Sequence, residues 1–547
     1  MMAVFEDCLT LIKGAYGEDV SLAHLPEDDP AVYEALQKAD TVGMFQIESR
    51  AQMSCLPRLR PKRFYDIVVQ VAIIRPGPIV GQMVNPYLKR RQGREPVTYP
   101  HPSLEPVLAR TLGVPLFQEQ LLRMAMIAAG FSGGEAEDLR RAFGFKRSEA
   151  RMRDIEVKLR LGMARNRIAP AAQEQIIQSI TSFALYGFPE SHAASFALLA
   201  YASAWLKTHY LAAFTAALLN NQPMGFYHAS TVVKDAQRHG LRFKPIDVLK
   251  SDWPCTLEDV SSFAFHVSRP EDARETRNVK RETREFAVRL GLRYVKGLRE
   301  EAARAIVERR KLRPFASLDE LARRVPELRK TELQMLAEIG ALNSIGEDVS
   351  SFSFHVSRKE GFPHVKRETR NAKRFHRRDA LWQVERATRP AGPLLEGLPE
   401  PEAPSPLLPM TPEERLVADF RGTGMTVGPH PMAYRRSAMK KLGVRPAGEL
   451  ERVPNGQRVR AAGCVIARQR PGTAHGFVFL SLEDETGIAN AIITPDLFEK
   501  NRLLLVSEQF LLVEGVLQNL DRVISVKAER VLPLRITAAE TSSHDFH

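Results

Sequence analysis

Apolar positions recur every three or four residues across most of residues 1 to about 225, as in LLRMAMIAAGF and IIQSITSFALYGF, which predicts a mainly helical region. The stretch AASFALLAYASAWLKTHYLAAFTAALL, Ala193 to Leu219, is apolar on nearly every face and reads as a buried core helix. Proline and glycine mark loops at IIRPGPIVGQ (Ile73 to Gln82) and YPHPSLEPV (Tyr99 to Val107). A short mixed connection, residues 226–257, follows. Helical spacing returns over 287–346, in RLGLRYVKGLREEAARAIVERR and SLDELARRVPELRKTELQMLAEIGAL. A connecting region, 376–455, holds the proline-rich linker RPAGPLLEGLPEPEAPSPLLP (Arg389 to Pro409). Over 456–535 the period shortens in RVRAAGCVIARQR, GFVFLSLEDETG, IANAIITP, QFLLVEGVLQ and RVISVKAERVL. Five such runs separated by turns predict a small β-barrel, and the polar tail 536–547 is expected to be disordered.

Two near-identical elements interrupt this order. EDVSSFAFHVSR (Glu258 to Arg269) recurs as EDVSSFSFHVSR (Glu347 to Arg358), and VKRETR recurs at Val279 to Arg284 and Val365 to Arg370. A solenoid would fill the space between copies with further copies, whereas these bracket an unrelated helical segment. Removing them joins WPCTLE to FAVRLGLRYVKGL and ALNSIG to FHRRDALWQ. Residues 258–286 and 347–375 are therefore expected to be inserted, poorly ordered surface loops. A basic tether for nucleic acid remains open, because the second copy carries HVKRETRNAKRFHRR.

The length of 547 residues implies three or four domains, and 44% apolar with 26% charged residues is an ordinary globular composition. A net charge of +13 and a pI near 9.6 favour an anionic partner, nucleic acid ahead of an anionic membrane surface. A merely basic soluble protein fits the same charge. Cys8, Cys55, Cys255 and Cys464 are scattered without a CxxC pair, which argues against a disulfide framework or a cysteine zinc site and fits a reducing cytosol. MMAVFEDCLTL lacks the basic flank of a secretory signal. Lys207 and His209 break the longest apolar run, so it falls short of the ~20 apolar residues a bilayer span requires.

The most informative chemistry lies between Leu112 and His192. The basic block LRRAFGFKRSEARMR carries Arg140, Arg141, Lys146 and Arg147, and the loop YGFPESH offers Ser191 and His192. Arginine forks bind phosphate oxygens bidentately, and Ser191 is placed to cap the helix that follows, whose first amides can face an anion. A solvated basic helix and a plain helix cap fit these residues as well. IIRPGPI holds Arg75 in a fixed direction between prolines. RLRPKR (Arg58 to Arg63) and YLKRRQGR (Tyr87 to Arg94, with Arg90 and Arg91) add exposed charge suited to a DNA backbone. VKGLREEAARAIV has the form of a helix-hairpin-helix, with Gly297 opening a tight turn between Lys296 and Arg299 whose amides can approach a phosphate. The predicted barrel is an OB-fold, in which Phe477 and Phe479 serve either as a stacking platform for bases or as core.

In combination these blocks resemble the C-family bacterial DNA polymerases, the family of the DNA polymerase III alpha subunit. MFQIESRAQM (Met44 to Met53), IIRPGPI, PLFQEQLLRMA, LRRAFGFKR, SHAASFALLAYASAWLKTHY and the OB-like segment occur in family order and cover nearly all of the chain outside the repeats. PESH (Pro189 to His192) stands where the replicative branch has Asn-Lys-Ser-His. With TPEERLVADFRGTGMTVGPHPM (Thr411 to Met432) it is similar to the error-prone branch used in damage-induced synthesis and disfavours the replicative alpha subunit. The resemblance implies a multidomain, mainly α fold: fingers following the end of the palm over 1–225, a tandem helix-hairpin-helix, and a C-terminal OB-fold. It implies a cytoplasmic, DNA-directed DNA polymerase whose partners are primer–template DNA, dNTPs, a sliding clamp and mutagenesis accessory proteins, with no membrane. Arg140, Arg141, Lys146, Ser191, His192 and Arg75 would line the incoming triphosphate; Arg90, Arg91, Lys296, Gly297, Arg299, Phe477 and Phe479 would meet DNA.

One departure follows from the same resemblance. The family transfers nucleotides with Mg²⁺ held by palm carboxylates. MMAVFEDCLTL is similar to the helix that follows the last of them, so all three aspartates are expected to precede Met1, and no catalytic or metal-binding residue is expected in this chain. Glu6 and Asp7 read as surface charge on that helix. A catalytically inactive DNA- and nucleotide-binding module is the alternative reading.

Overall fold

The computed structural model describes residues 1–74, 80–142, 149–184, 188–260, 285–345, 376–388, 405–534 and 544–546. A helical body comes first: α1 (Met2–Ala15), α2 (Pro30–Gln37), α3 (Arg50–Leu59), α4 (Phe64–Ile73), α5 (Val80–Arg91), α6 (Glu105–Leu108), α7 (Gln118–Ala129), α8 (Gly133–Ala142), α9 (Glu149–Arg165), α10 (Pro170–Ala184), α11 (Glu190–His209), α12 (Leu211–Asn220) and α13 (Ala229–Arg238). α11 is its axis. Ala193, Ala197, Ala200 and Ala204 are fully buried at helical spacing, and this small-residue stripe lets α4 and α2 pack closely. α4 is itself buried along Asp66 to Ile73.

A second core joins α7, α9 and α10 through Leu121, Met124, Leu159, Met163, Ile176 and Ile180. α7 and α9 approach so closely at Gly162 that a Cβ there would lie 2.1 Å from the Ala129 carbonyl oxygen. The expected single helix over 193–219 is two helices. Tyr210 leaves helical geometry (φ −132°, ψ 50°), and α12 turns back to pack on α1. The apolar pattern could not mark this break, because both helices are buried.

The segment expected to return to helix at 287 begins instead as a strand. β1 (Phe243–Lys244), β2 (Thr256–Asp259) and β3 (Phe286–Arg289) form a sheet in the order β1-β3-β2. β2 and β3 pair antiparallel from Thr256↔Arg289 to Asp259↔Phe286, so the expectation of an inserted loop over 258–286 is corrected at its ends: Glu258, Asp259 and Phe286 are paired strand residues. Residues 261–284 and the second copy lie outside the described residues, as does the expectation of disorder there.

Beyond β3 come α14 (Glu300–Leu312), α15 (Leu318–Arg324), α16 (Lys330–Glu338), α17 (Arg377–Ala387) and α18 (Pro412–Thr423). β4 (Val444–Arg445) then leads into the barrel: β5 (Arg458–Gln469), β6 (Val478–Glu483), β7 (Ile488–Ile493), β8 (Phe510–Leu520) and β9 (Val523–Pro533). The strands run β5-β6-β7-β9-β8, and β8 pairs back on β5 from Arg458↔Val516 to Cys464↔Phe510, which closes the barrel. This is the OB-fold read from the five short runs. The tail differs from expectation: β10 (His544–Phe546) pairs parallel with Ala467–Gln469. The outer edge of β5 offers unpaired backbone groups that a passing segment satisfies.

The barrel is pinned to the helical body by Arg50, the first residue of α3. Its Nη1 donates to the carbonyls of Leu480 (3.1 Å) and Ala491 (3.2 Å), and its guanidinium lies 4.8 Å from the Phe479 ring centroid. Arg50→Ala is expected to weaken this docking by about 1–2 kcal/mol. Hydrogen exchange would register it as lost protection in β6 and β7, with α4 and α11 unaffected.

Candidate nucleotide and nucleic-acid interface

MFQIESR forms the turn that anchors the helical body. Gly43 has φ +80°, and a Cβ there would meet Leu218 at 2.8 Å. Met44 and Ile47 are buried; Glu48 accepts from the amides of Gly43 (2.9 Å) and Phe226 (3.1 Å); and Ser49 caps α3 in a capping box with Gln52.

Lys207 fastens the same turn to α11. Its buried ammonium donates to Asp40 (3.1 Å), the Val42 carbonyl (3.0 Å) and Asp235 on α13 (2.9 Å). Asp40, Asp235 and His239 are the one group of carboxylate and imidazole atoms close enough to hold a metal ion among the described residues. Lys207 already fills that position as its counter-charge, so the group does not suit a divalent cation.

Burial alone would raise the Asp40 carboxyl, but the His239 hydrogen bond and the Lys207 charge hold it well below the ordinary range. His239 is raised, chiefly by its hydrogen bond to Asp40. Asp40 therefore adds stability that is present above about pH 3.8 and lost as pH falls through its lowered value. His239 adds stability that is full below about pH 6.5 and lost as pH rises through its raised value. The destabilisation caused by His239→Gln is expected to be largest near pH 5–6 and to shrink by pH 9, as denaturant midpoints at those pH values would show.

The two halves of the expected nucleotide site are both organised by α7. Its first turn receives the start of α11: the Gln118 amide donates to the Phe188 carbonyl (3.0 Å), and the Glu190 amide donates to the Glu119 carboxylate (2.9 Å). Ser191 and His192 are exposed there, with His192 between the rings of Phe188 (5.1 Å) and Phe196 (4.3 Å). Ser191 is not the helix cap; Pro189 occupies that position without a side-chain bond, which leaves the Ser191 hydroxyl for another partner. α7 also packs against α8, whose last turn carries Arg140 and Arg141.

Both arginines are exposed and share one carboxylate. Arg140 grips Glu137 with Nη2 at 2.6 Å and Nε at 2.9 Å, and Arg141 reaches it at 3.3 Å. The Arg140 hydrogen bond is the largest cause of a Glu137 carboxyl lowered to about 2. Lys146 and Arg75 lie outside the described residues.

The other cations divide into struts and open charges. Arg90 donates to the carbonyls of Leu112 (2.7 Å) and Thr98 (3.3 Å), and Arg91 to Asp66 (2.7 Å) and the Leu59 carbonyl (3.4 Å). Arg299 closes a fork on the buried carboxylate of Glu332 (3.1 and 3.0 Å), and Lys296 donates to the Phe420 carbonyl at the end of α18 (3.2 Å). Gly297 has φ +82° with open space around it, so its turn is free. Phe479 lies under Arg50, while Phe477 is half-buried at the start of β6.

A cleft of about 930 Å³ is lined by Arg58, Arg60, Lys62, Arg63, Arg110 and Arg94, together with the struts Arg90 and Arg91. Residue spacing showed RLRPKR and YLKRRQGR as separate basic clusters; their convergence, and the place of Arg110, had no signal in either. The cysteines carry no chemistry here. All four are buried and none is in a disulfide, and burial pushes the Cys8, Cys55 and Cys255 thiols up to about 12.

Known proteins match along the whole chain. Residues 1–167 match the bacterial DNA polymerase III alpha subunit finger domain, 240–351 a helix-hairpin-helix motif, and 459–534 an OB-fold nucleic acid binding domain. Error-prone DNA polymerase of Anaeromyxobacter sp. (strain K) is 46% identical over 96% of this chain and 43% of its own length. The protein of that name from Pseudomonas fluorescens is 43% identical over 100% of this chain and 49% of its own length, and that from Bordetella bronchiseptica 44% over 100% and 48%. The chain thus spans about half the length of these relatives. A solved asparaginyl-tRNA synthetase from Pyrococcus horikoshii shares 23% identity over 15% of this chain and 20% of its own, at a TM-score of 0.14, which carries no argument. No helix among the described residues is long and apolar enough to cross a membrane. With its matched finger, helix-hairpin-helix and OB-fold regions in that order, the chain belongs to the bacterial DNA polymerase III alpha-subunit family, on the branch of its error-prone members.

Proposed function

We propose that this chain supplies the nucleotide- and DNA-binding side of an error-prone, DNA-directed DNA polymerase acting in damage-induced synthesis. The observation that carries the reading is α7, whose packed neighbour α8 carries Arg140 and Arg141 and whose first turn is hydrogen-bonded to the start of α11, where Ser191 and His192 lie. Arg140 and Arg141 hold the triphosphate oxygens by charge-assisted hydrogen bonds, and Ser191 and His192 add further hydrogen-bond donors. Lys146 and Arg75 complete the set by family resemblance. Gly297 and the barrel bind the DNA that the nucleotide extends. The family's chemistry is divalent-metal phosphoryl transfer with Mg²⁺; the cluster of Asp40, Asp235 and His239, which holds the Lys207 ammonium, does not fit that ion.

Expressed by itself, the chain is expected to bind primer–template DNA with salt-dependent affinity and to bind dNTPs in competition with inorganic triphosphate. Binding of neither ligand would contradict the reading. The alternative reading is a binding module without transferase activity. Primer extension with Mg²⁺ and all four dNTPs separates the two: incorporation above background on the isolated chain excludes the module.

A further inference from the structure

The first turn of α11 is held by partners from three other parts of the helical body. Pro189 stands at the cap position without a side-chain bond, and the Glu119 carboxylate of α7 supplies the missing acceptor for the Glu190 amide (2.9 Å). The Glu190 side chain takes different partners. The Tyr65 hydroxyl, in the first turn of α4, donates to its Oε1 (2.9 Å), and Arg110, between α6 and α7, lies 3.6 Å from the same oxygen. The Arg110 guanidinium also lies over the Tyr65 ring (4.0 Å), and that ring is 6.4 Å from the ring of Phe117, the residue before α7. Burial, and after it the hydrogen bond to Glu190, push the Tyr65 hydroxyl up, so it stays protonated and remains a donor. α4 is buried from Asp66 to Ile73, so this clamp ties an exposed turn to a core helix.

We propose that Glu190 is a positioning residue for nucleotide binding: clamped by Tyr65 and Arg110, it aims Ser191 and His192 at the incoming triphosphate. The inference rests on the nucleotide-binding reading above and adds the residues that orient one half of that site. Successive residues stand about 100° apart around a helix, so fixing the direction of Glu190 fixes those of Ser191 and His192. Glu190 does not itself touch the ligand, because a carboxylate facing phosphate oxygens repels them. Arg110 offsets its charge, and the exposed ion pair is the weaker arm of the clamp beside the Tyr65 hydrogen bond.

The test uses the full chain and two readouts: dNTP titration, and NMR of ¹³C-labelled histidine with the His192 signal assigned by its loss in His192→Ala. Glu190→Ala and Tyr65→Phe are each expected to weaken dNTP binding about tenfold, and to shift the His192 ring signal before any nucleotide is added. Glu190→Gln keeps an acceptor for the Tyr65 hydroxyl and should retain most of the affinity. In a Ser191→Ala/His192→Ala background, Glu190→Ala should cost nothing further. An unmoved His192 signal, a loss that adds to that background, no recovery in Glu190→Gln, or an equal loss of primer–template affinity in Glu190→Ala overturns the inference. A wild-type chain without dNTP affinity, or full affinity in Ser191→Ala/His192→Ala, overturns the underlying reading instead, and the His192 signal still tests the clamp.

Discussion

Replacing Lys207 by methionine is expected to cost about 3–5 kcal/mol of stability, the typical penalty for leaving a buried charge without its partner. Its side chain is 6% exposed, and the Asp235 side chain 10%. Methionine fills the volume but leaves two carboxylates facing each other with only His239 and, beside Asp235, Arg238 to compensate. The loss should reach beyond the cluster. Lys207 joins the 40–48 turn to α11 and α13, and that turn sets the start of α3, from which Arg50 pins the barrel. Adding Asp235→Asn to Lys207→Met should recover much of the loss, because it removes the orphaned charge. Denaturant midpoints of the two single variants and the double variant give the coupling directly. Additive losses would mean that the cluster does not act as a unit.

The second large effect concerns Arg140 and Arg141. If their forks hold triphosphate, either change to alanine removes charge-assisted hydrogen bonds and should weaken dNTP binding roughly ten- to a hundredfold. Glu137 competes for the same guanidinium groups, gripping Arg140 at 2.6 and 2.9 Å. Glu137→Gln removes that competitor and should tighten dNTP binding while leaving helix α8 intact. Loss of affinity in Glu137→Gln would mean that the carboxylate orients the arginines instead of restraining them.

The barrel was legible where alternation survives: β7 buries Ala489, Ala491 and Ile493 in turn, and β5 opens with Val459 and Ala461 buried beside exposed Arg458 and Arg460. Its closure by β8 on β5 was not, since pairing across some 50 residues leaves no local trace. The family motifs were legible as strings, but the roles of their parts were not: Arg50 in MFQIESR meets carbonyls more than 400 residues away. Basic residues were the hardest to read. Arg90, Arg91, Lys296 and Arg299 look like exposed charge in one dimension, yet each is spent on a carbonyl or carboxylate supplied by another element. Which cations stay open is a property of the folded surface.

The most direct measurement of the central claim is a paired titration of the full chain with dNTP and with primer–template duplex, comparing wild type with Arg140→Ala and Arg141→Ala. The account predicts weakened dNTP binding with duplex affinity nearly unchanged. Equal loss of both ligands would contradict it and reduce the α8 arginines to part of a general basic face.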